Sequence, residues 1–247
     1  MILILSGEGP TDLGTCNNAQ VECSEDFFSI GPMGVLVDKI IEPLLGYSLR
    51  TFPGSIRFIS KAKLKLLADE RKKSKRSMVL RGKYHDHETS YYYVNCWDLG
   101  LASLKVEAEG DKVVSVFFRD CDRMRSDPPL IWKSKFKSVK DGFSRAGFGR
   151  GVPMIANPKS EAWLLCCAKD QPFQHCAILE NISGNDDAPH PAKAQLADAL
   201  GGEKNANELS AWLDGVEFDV QGASAMPSFA AFSERLHDVI RDVLADR

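Results

Sequence analysis

Residues 1–6, MILILS, and residues 113–118, VVSVFF, are almost continuously apolar and favour extended structure. Such runs predict strands covered on both faces, as in a parallel sheet. A shorter strand is predicted over 152–156. Elsewhere apolar positions recur three and four apart. Val35, Leu36, Ile40, Leu44 and Leu45 predict a helix, Lys63–Ala68 a short one, and residues 89–109 a long one. Asp127-Pro128-Pro129 opens another, with Pro just inside its start, running to about Arg145. Asn157-Pro158 reads as an Asn cap followed by Pro at the first helical position, and the helix PKSEAWLLCCAKD follows. Helices near 191–200, 206–213 and 228–245 fill the last third. Polar residues 15–32 predict a loop insertion. Strands separated by helices predict an α/β domain with a parallel sheet.

Composition narrows the class. The chain has 247 residues, 44% hydrophobic and 26% charged, which excludes a disordered chain, a collagen-like repeat and a coiled-coil rod. No window approaches the ~18 uninterrupted apolar residues of a membrane span. The apolar start lacks the basic flank and cleavage site of a secretory leader, so a cytoplasmic protein is expected. Seven cysteines occur without a CxxC pair, and are expected to be reduced, mostly buried thiols. The net charge is only -3, but residues 60–84 carry ten basic residues against Asp69 and Glu70. Lys72, Lys73, Lys75 and Arg76 lie in this stretch, and Lys133, Lys135, Lys137 and Lys140 follow later. Clustered positive charge suits a phosphate backbone, DNA or RNA.

Both clear strands end in acids. The first is followed by Glu8 and, four residues on, Asp12; the second ends in Asp120 and Asp122. In a parallel sheet these ends share one rim, where ligands collect. Several carboxylates on one rim repel one another unless a cation neutralises them. Oxygen-only ligands suit Mg²⁺ or Mn²⁺. Glu161, in the first turn of its helix, either interacts with the helix dipole or completes a second metal site. Lys159 is placed to hold a phosphate oxygen at that helix start.

The turn Gly7-Glu8-Gly9-Pro10-Thr11-Asp12, followed much later by Arg119-Asp120-Cys121-Asp122, resembles the Toprim domain. A closer resemblance is to small stand-alone Toprim proteins encoded beside ATPases. These share Pro-x-x-Glu-x-Trp-Leu-Leu, here Pro158 to Leu165. The family also includes the overcoming-lysogenization-defect nucleases. The resemblance covers roughly residues 1–170 and implies a Rossmann-like, mostly parallel sheet flanked by helices. It implies an insertion at about 50–110 and leaves 171–247 as a helical C-terminal extension. It further implies a metal-dependent nuclease with Glu8, Asp120 and Asp122 catalytic, Glu8, Asp12, Asp120, Asp122 and Glu161 around Mg²⁺ or Mn²⁺, and Arg119 and Lys159 on phosphate. The implied setting is effector to a separate ATPase, with a role in anti-phage defence. The alternative is a non-catalytic Toprim subunit that binds protein or nucleic acid.

Other motifs carry less. His85 and His87, in His85-Asp86-His87-Glu88, share a face only in an extended segment; a polar helix entry is the plainer reading. Tyr91, Tyr92 and Tyr93 either stack on bases or pack in a helical core. Gly147 to Gly151 lacks the Lys-Ser/Thr ending of a phosphate-binding loop and precedes a strand, so any ATPase acts in trans.

Overall fold

A computed structural model of the chain describes residues 1–18, 20–24, 27–73, 83–84, 87–124, 127–128 and 130–245. Its centre is a five-stranded sheet of β1 (Ile2–Gly7), β3 (Glu22–Ser24), β5 (Ile56–Ser60), β8 (Val113–Asp120) and β9 (Gly151–Ala156), in the order β3-β5-β1-β8-β9. The four strands β5, β1, β8 and β9 are parallel, and only the edge strand β3 runs antiparallel, against β5. Gly7 lies opposite Phe118 and Asp120 opposite Ala156, so the carboxyl ends of β1, β8 and β9 form one continuous rim.

The unbroken apolar runs have a direct structural reason. Successive side chains of a strand point to opposite faces, and both faces here are covered. Leu3, Leu5, Val114, Val116 and Phe118 enter one core with α1 (Pro32–Leu45), α5 (Ser160–Ala168) and α9 (Pro227–Ala245). Ile2, Ile4, Val113 and Phe117 enter the other, with α2 (Lys61–Lys73), α3 (Ser90–Glu107) and α4 (Ile131–Ala146). The result is a three-layer α/β sandwich. In the first core Trp163 stacks on Phe232 and meets Phe229 edge-on, and its indole N–H donates to Ser228 Oγ at 2.9 Å. This pins α5, whose N-terminus faces the rim, to the long C-terminal helix. Beyond α5, helices α6 (Ala192–Ala199) and α7 (Ala206–Gly215) pack on α5 and α1 respectively, and the short α8 (Val220–Ala223) leads into α9. Among the described residues no helix is long and apolar enough to cross a membrane.

Several expectations are corrected. The 15–32 stretch is not a plain loop: it holds β2 (Gly14–Cys16), β3 and β4 (Phe28–Ile30), with β2 and β4 paired antiparallel. Segments of three residues are too short to show a period of two in the sequence. The segment 50–110 contains β5, a sheet neighbour of β1, along with α2 and α3. Helix α2 extends to Lys73, past the short stretch expected, and α4 begins at Ile131 rather than at the prolines. Helix α5 begins at Ser160, not at Pro158. Asn157 does not cap it; its side chain is buried and donates to Glu180 instead. The carboxylate of Asp120 accepts from the Ser160 N–H at 2.8 Å and so takes over the capping role.

Nor are all the cysteines reduced. Cys16–Cys23 and Cys166–Cys176 are disulfides, and Cys96, Cys121 and Cys167 are buried free thiols. The fold-back from β2 to β3 and the turn after α5 bring the paired Cα atoms to 5.9 and 5.3 Å. Spacings of 7 and 10 residues announce no such pairing by themselves. The expected polar helix entry at 85–88 also differs: His87–Glu88 forms a strand, β7, paired with β6 (Lys83–Tyr84). His85, Asp86, Lys75 and Arg76 lie outside the described residues.

Candidate metal centre

The turn after β1 is built by glycine. A side chain at Gly7 would meet the Phe118 carbonyl oxygen at 2.2 Å, so β1 and β8 approach closely only with glycine there. Gly9 has φ +94 and its missing Cβ leaves room for the Asp12 carboxylate, which would otherwise lie 2.3 Å away. The chain then turns tightly: the Asp12 and Leu13 N–H groups both donate to the Gly9 carbonyl. Asp12 is thereby brought over the rim toward the start of α5.

There it meets two other acids. Ser160 Oγ donates to Asp12 at 2.9 Å while the Ser160 backbone N–H donates to Asp120, so one residue fixes carboxylates from two elements. Glu161 follows on the first turn of α5, with a carboxylate oxygen 3.5 Å from Ser160 Oγ. Desolvation raises the proton affinity of all three acids. For Asp120 the shift is large, and the charges of Asp12, Glu161 and Asp122 add to it against the Ser160 N–H. Asp12 is raised by burial, with Asp122 adding and Ser160, Thr11 and Lys159 opposing. Glu161 is raised by burial, with Asp12 adding. Three half-buried carboxylates thus raise the cost of one another's negative charge.

Asp122 stands at the edge of this group. It is exposed, with a left-handed backbone at φ 51, and its oxygen is 3.9 Å from Lys159 Nζ. Lys159 is anchored more closely by Asp186, at 2.7 Å. Burial acts to lower the Lys159 pKa, but the hydrogen bond and charge of Asp186 outweigh it and the net shift is upward.

Glu8 is held elsewhere on the rim. Its two oxygens are taken by Lys61 at 2.6 Å and Arg119 at 2.7 Å. Burial acts to raise its pKa, but these two cations prevail and leave it below the ordinary carboxylate range. The Arg119 guanidinium stacks 4.1 Å from the centre of the Tyr91 ring and 5.4 Å from that of Tyr92. Burial pushes the Tyr91 hydroxyl up to about 12. Tyr91 and Tyr92 are therefore part of the packing around Arg119, and Tyr93 meets Trp97 edge-on.

The expected set is thus divided. Asp12, Asp120 and Glu161 come together, Asp122 and Lys159 flank them, and Glu8 with Arg119 forms a separate ion-paired group. Lys72 and Lys73 are exposed at the end of α2. Sequence reasoning missed Ser160, Lys61 and Asp186. Ser160 sits inside the recognised motif between Lys159 and Glu161, which was the available signal. The donor set of Asp12, Asp120 and Glu161 fits a hard divalent cation: oxygen-only, anionic and mutually repelling. Among the described residues no group of three or more His, Cys, Asp or Glu side chains is placed as it stands to hold a metal ion. Comparison with protein-family models, curated proteins and solved structures finds no match.

Proposed function

We propose that this chain is a divalent-metal-dependent nuclease of the Toprim type, hydrolysing phosphodiester bonds of DNA or RNA. The observation that carries the reading is the meeting of Asp12 from the turn after β1, Asp120 of β8 and Glu161 of α5 around Ser160, on the carboxyl rim of a parallel sheet. Mg²⁺ or Mn²⁺ bound there would activate the attacking water and stabilise the leaving oxygen. Asp12, Asp120 and Glu161 would hold the ion, and Ser160 orients two of them. Lys159, freed from Asp186, binds a phosphate oxygen beside the α5 N-terminus. Glu8 is charged at neutral pH and acts as a base or as a positioning acid through Arg119. Asp122 completes the acidic edge. Exposed Lys72 and Lys73 follow the nucleic-acid backbone. ATP hydrolysis, where it controls cutting, comes from a separate partner protein, and defence against phage is the setting the resemblance suggests. A cytoplasmic location belongs to this reading, although two disulfides favour an oxidising compartment.

A second reading is supported by one observation. Glu8 is fully engaged by Lys61 and Arg119, as suits a Toprim subunit that binds a partner without cutting. One experiment separates the two: incubation of purified protein with plasmid, single-stranded DNA and RNA, with Mg²⁺, Mn²⁺ or EDTA. The nuclease reading expects metal-dependent products that disappear in Asp120→Asn. No product from any substrate, with or without a partner ATPase, leaves the binding-subunit reading.

A further inference from the structure

The acidic rim forms only one wall of a cleft of about 690 Å³. Residues of α6, α7 and the turn between them complete its lining. Leu200, just past the end of α6, and Leu209 of α7 are its partly exposed leucines, and Leu164 and Leu196 lie almost wholly buried beneath it. Lys193 and Lys204 also line it. Neither lysine has a carboxylate partner among the described residues, whereas Lys159 on the acidic side is held by Asp186. The volume falls within the ~300–1,000 Å³ range of pockets that bury a small-molecule-sized group.

One cleft therefore brings together oxygen ligands, cations and leucine side chains. A duplex backbone gives leucines nothing to bury, because its bases are stacked inward and it presents phosphate and sugar. An unpaired nucleotide has an apolar base joined to a phosphate, and recognition of single strands works through splayed bases. We infer that the cleft binds one unpaired nucleotide, with its phosphate toward Asp12, Asp120 and Lys159 and its base against Leu200 and Leu209. This inference rests on the nuclease reading and gives it a substrate class: single-stranded ends or loops rather than intact duplex. The lining also carries Asp186, Glu203 and Glu208, so an anionic ligand enters only when a divalent cation offsets the acidic wall.

The test is calorimetric titration of the full chain with thymidine 5′-monophosphate in Mn²⁺, with ribose 5-phosphate as the base-free control. Wild type is expected to bind the nucleotide at least tenfold more tightly than the sugar phosphate, and to bind neither in EDTA. Leu200→Ser is expected to weaken the nucleotide at least fivefold and leave the sugar phosphate unchanged. Lys193→Ala, a substitution at an exposed position that leaves the core untouched, is expected to weaken both about equally. Equal affinity of wild type for the two ligands, no binding of either, or wild-type affinity in both variants overturns the inference. A parallel cleavage assay keeps the two ideas apart. Cutting of single strands without nucleotide binding removes this cleft assignment but not the nuclease reading. Selective nucleotide binding with no cutting of any substrate removes the nuclease reading and keeps the ligand class.

Discussion

Replacing Asp120 by Asn tests the electrostatics of the rim with little change in shape. Asn keeps an oxygen to accept the Ser160 N–H and removes one of three mutually repelling charges. Like charges a few ångströms apart on a half-exposed rim cost about 1–3 kcal/mol at the effective dielectric of such sites. Against this, a neutral acceptor at the start of α5 gives up the favourable charge–dipole interaction, about 0.3–1 kcal/mol. The net expectation in EDTA at neutral pH is a stabilisation of about 1–2 kcal/mol, or roughly 2–8 °C in melting temperature for a chain of this size. Saturating Mn²⁺ reverses the order. Wild type gains about 2.7 kcal/mol when the free ion is a hundredfold above its dissociation constant, while the variant, short of one ligand, gains much less. Scanning calorimetry of both proteins in EDTA and in Mn²⁺ reads both effects. A variant less stable than wild type in EDTA, with the same Mn²⁺ shift, would refute the reasoning, because Asp120 would then be a cap and nothing more.

Three further outcomes follow from particular contacts. In metal-free protein Asp12, Asp120 and Glu161 bind protons more tightly folded than unfolded. Their contribution to stability is full below the ordinary carboxylate range near ~4 and is lost as pH rises through their raised folded values. Glu8 has the opposite sign, but its lowered value keeps its effect below pH 5, so EDTA-treated wild type should gain stability from pH 7 to 5 and Asp120→Asn should gain less; equal pH profiles would contradict this. Arg71→Ala leaves Asp98 buried without the guanidinium that holds it at 2.7 Å and removes a cation stacked 3.8 Å from Trp97. A loss of about 3–5 kcal/mol is expected in chemical denaturation, and a loss under 1 kcal/mol would show that the pair is not a structural tie between α2 and α3. Thiol titration of unreduced, denatured protein should count Cys96, Cys121 and Cys167 only; a count of seven would return all the cysteines to the reduced state first expected.

The layered architecture was legible because both long strands carry apolar residues on both faces, as a doubly covered sheet requires, and are rich in strand-favouring residues. The rim was legible for the same reason: the acids follow the ends of those strands. What the sequence concealed depends on contacts remote in the chain. Asp120 caps α5 across 40 residues, so the local Asn-Pro signal pointed to the wrong start. Glu8 follows β1 directly, but the two cations that engage it, Lys61 and Arg119, come from the start of α2 and from β8. The strand β5 was hidden by Arg57 and by the basic helix after it. The cleft beside the acids joins residues from α5, α6 and α7, which no local pattern unites.

The central claim is that Asp12, Asp120 and Glu161 together hold a divalent cation. Its most direct measurement is anomalous diffraction from crystals of the protein soaked in Mn²⁺. The account predicts a peak on the carboxyl rim within coordination distance of oxygens from these three residues, absent in Asp120→Asn crystals. No peak at the rim, or a peak bound only by other residues, would contradict it.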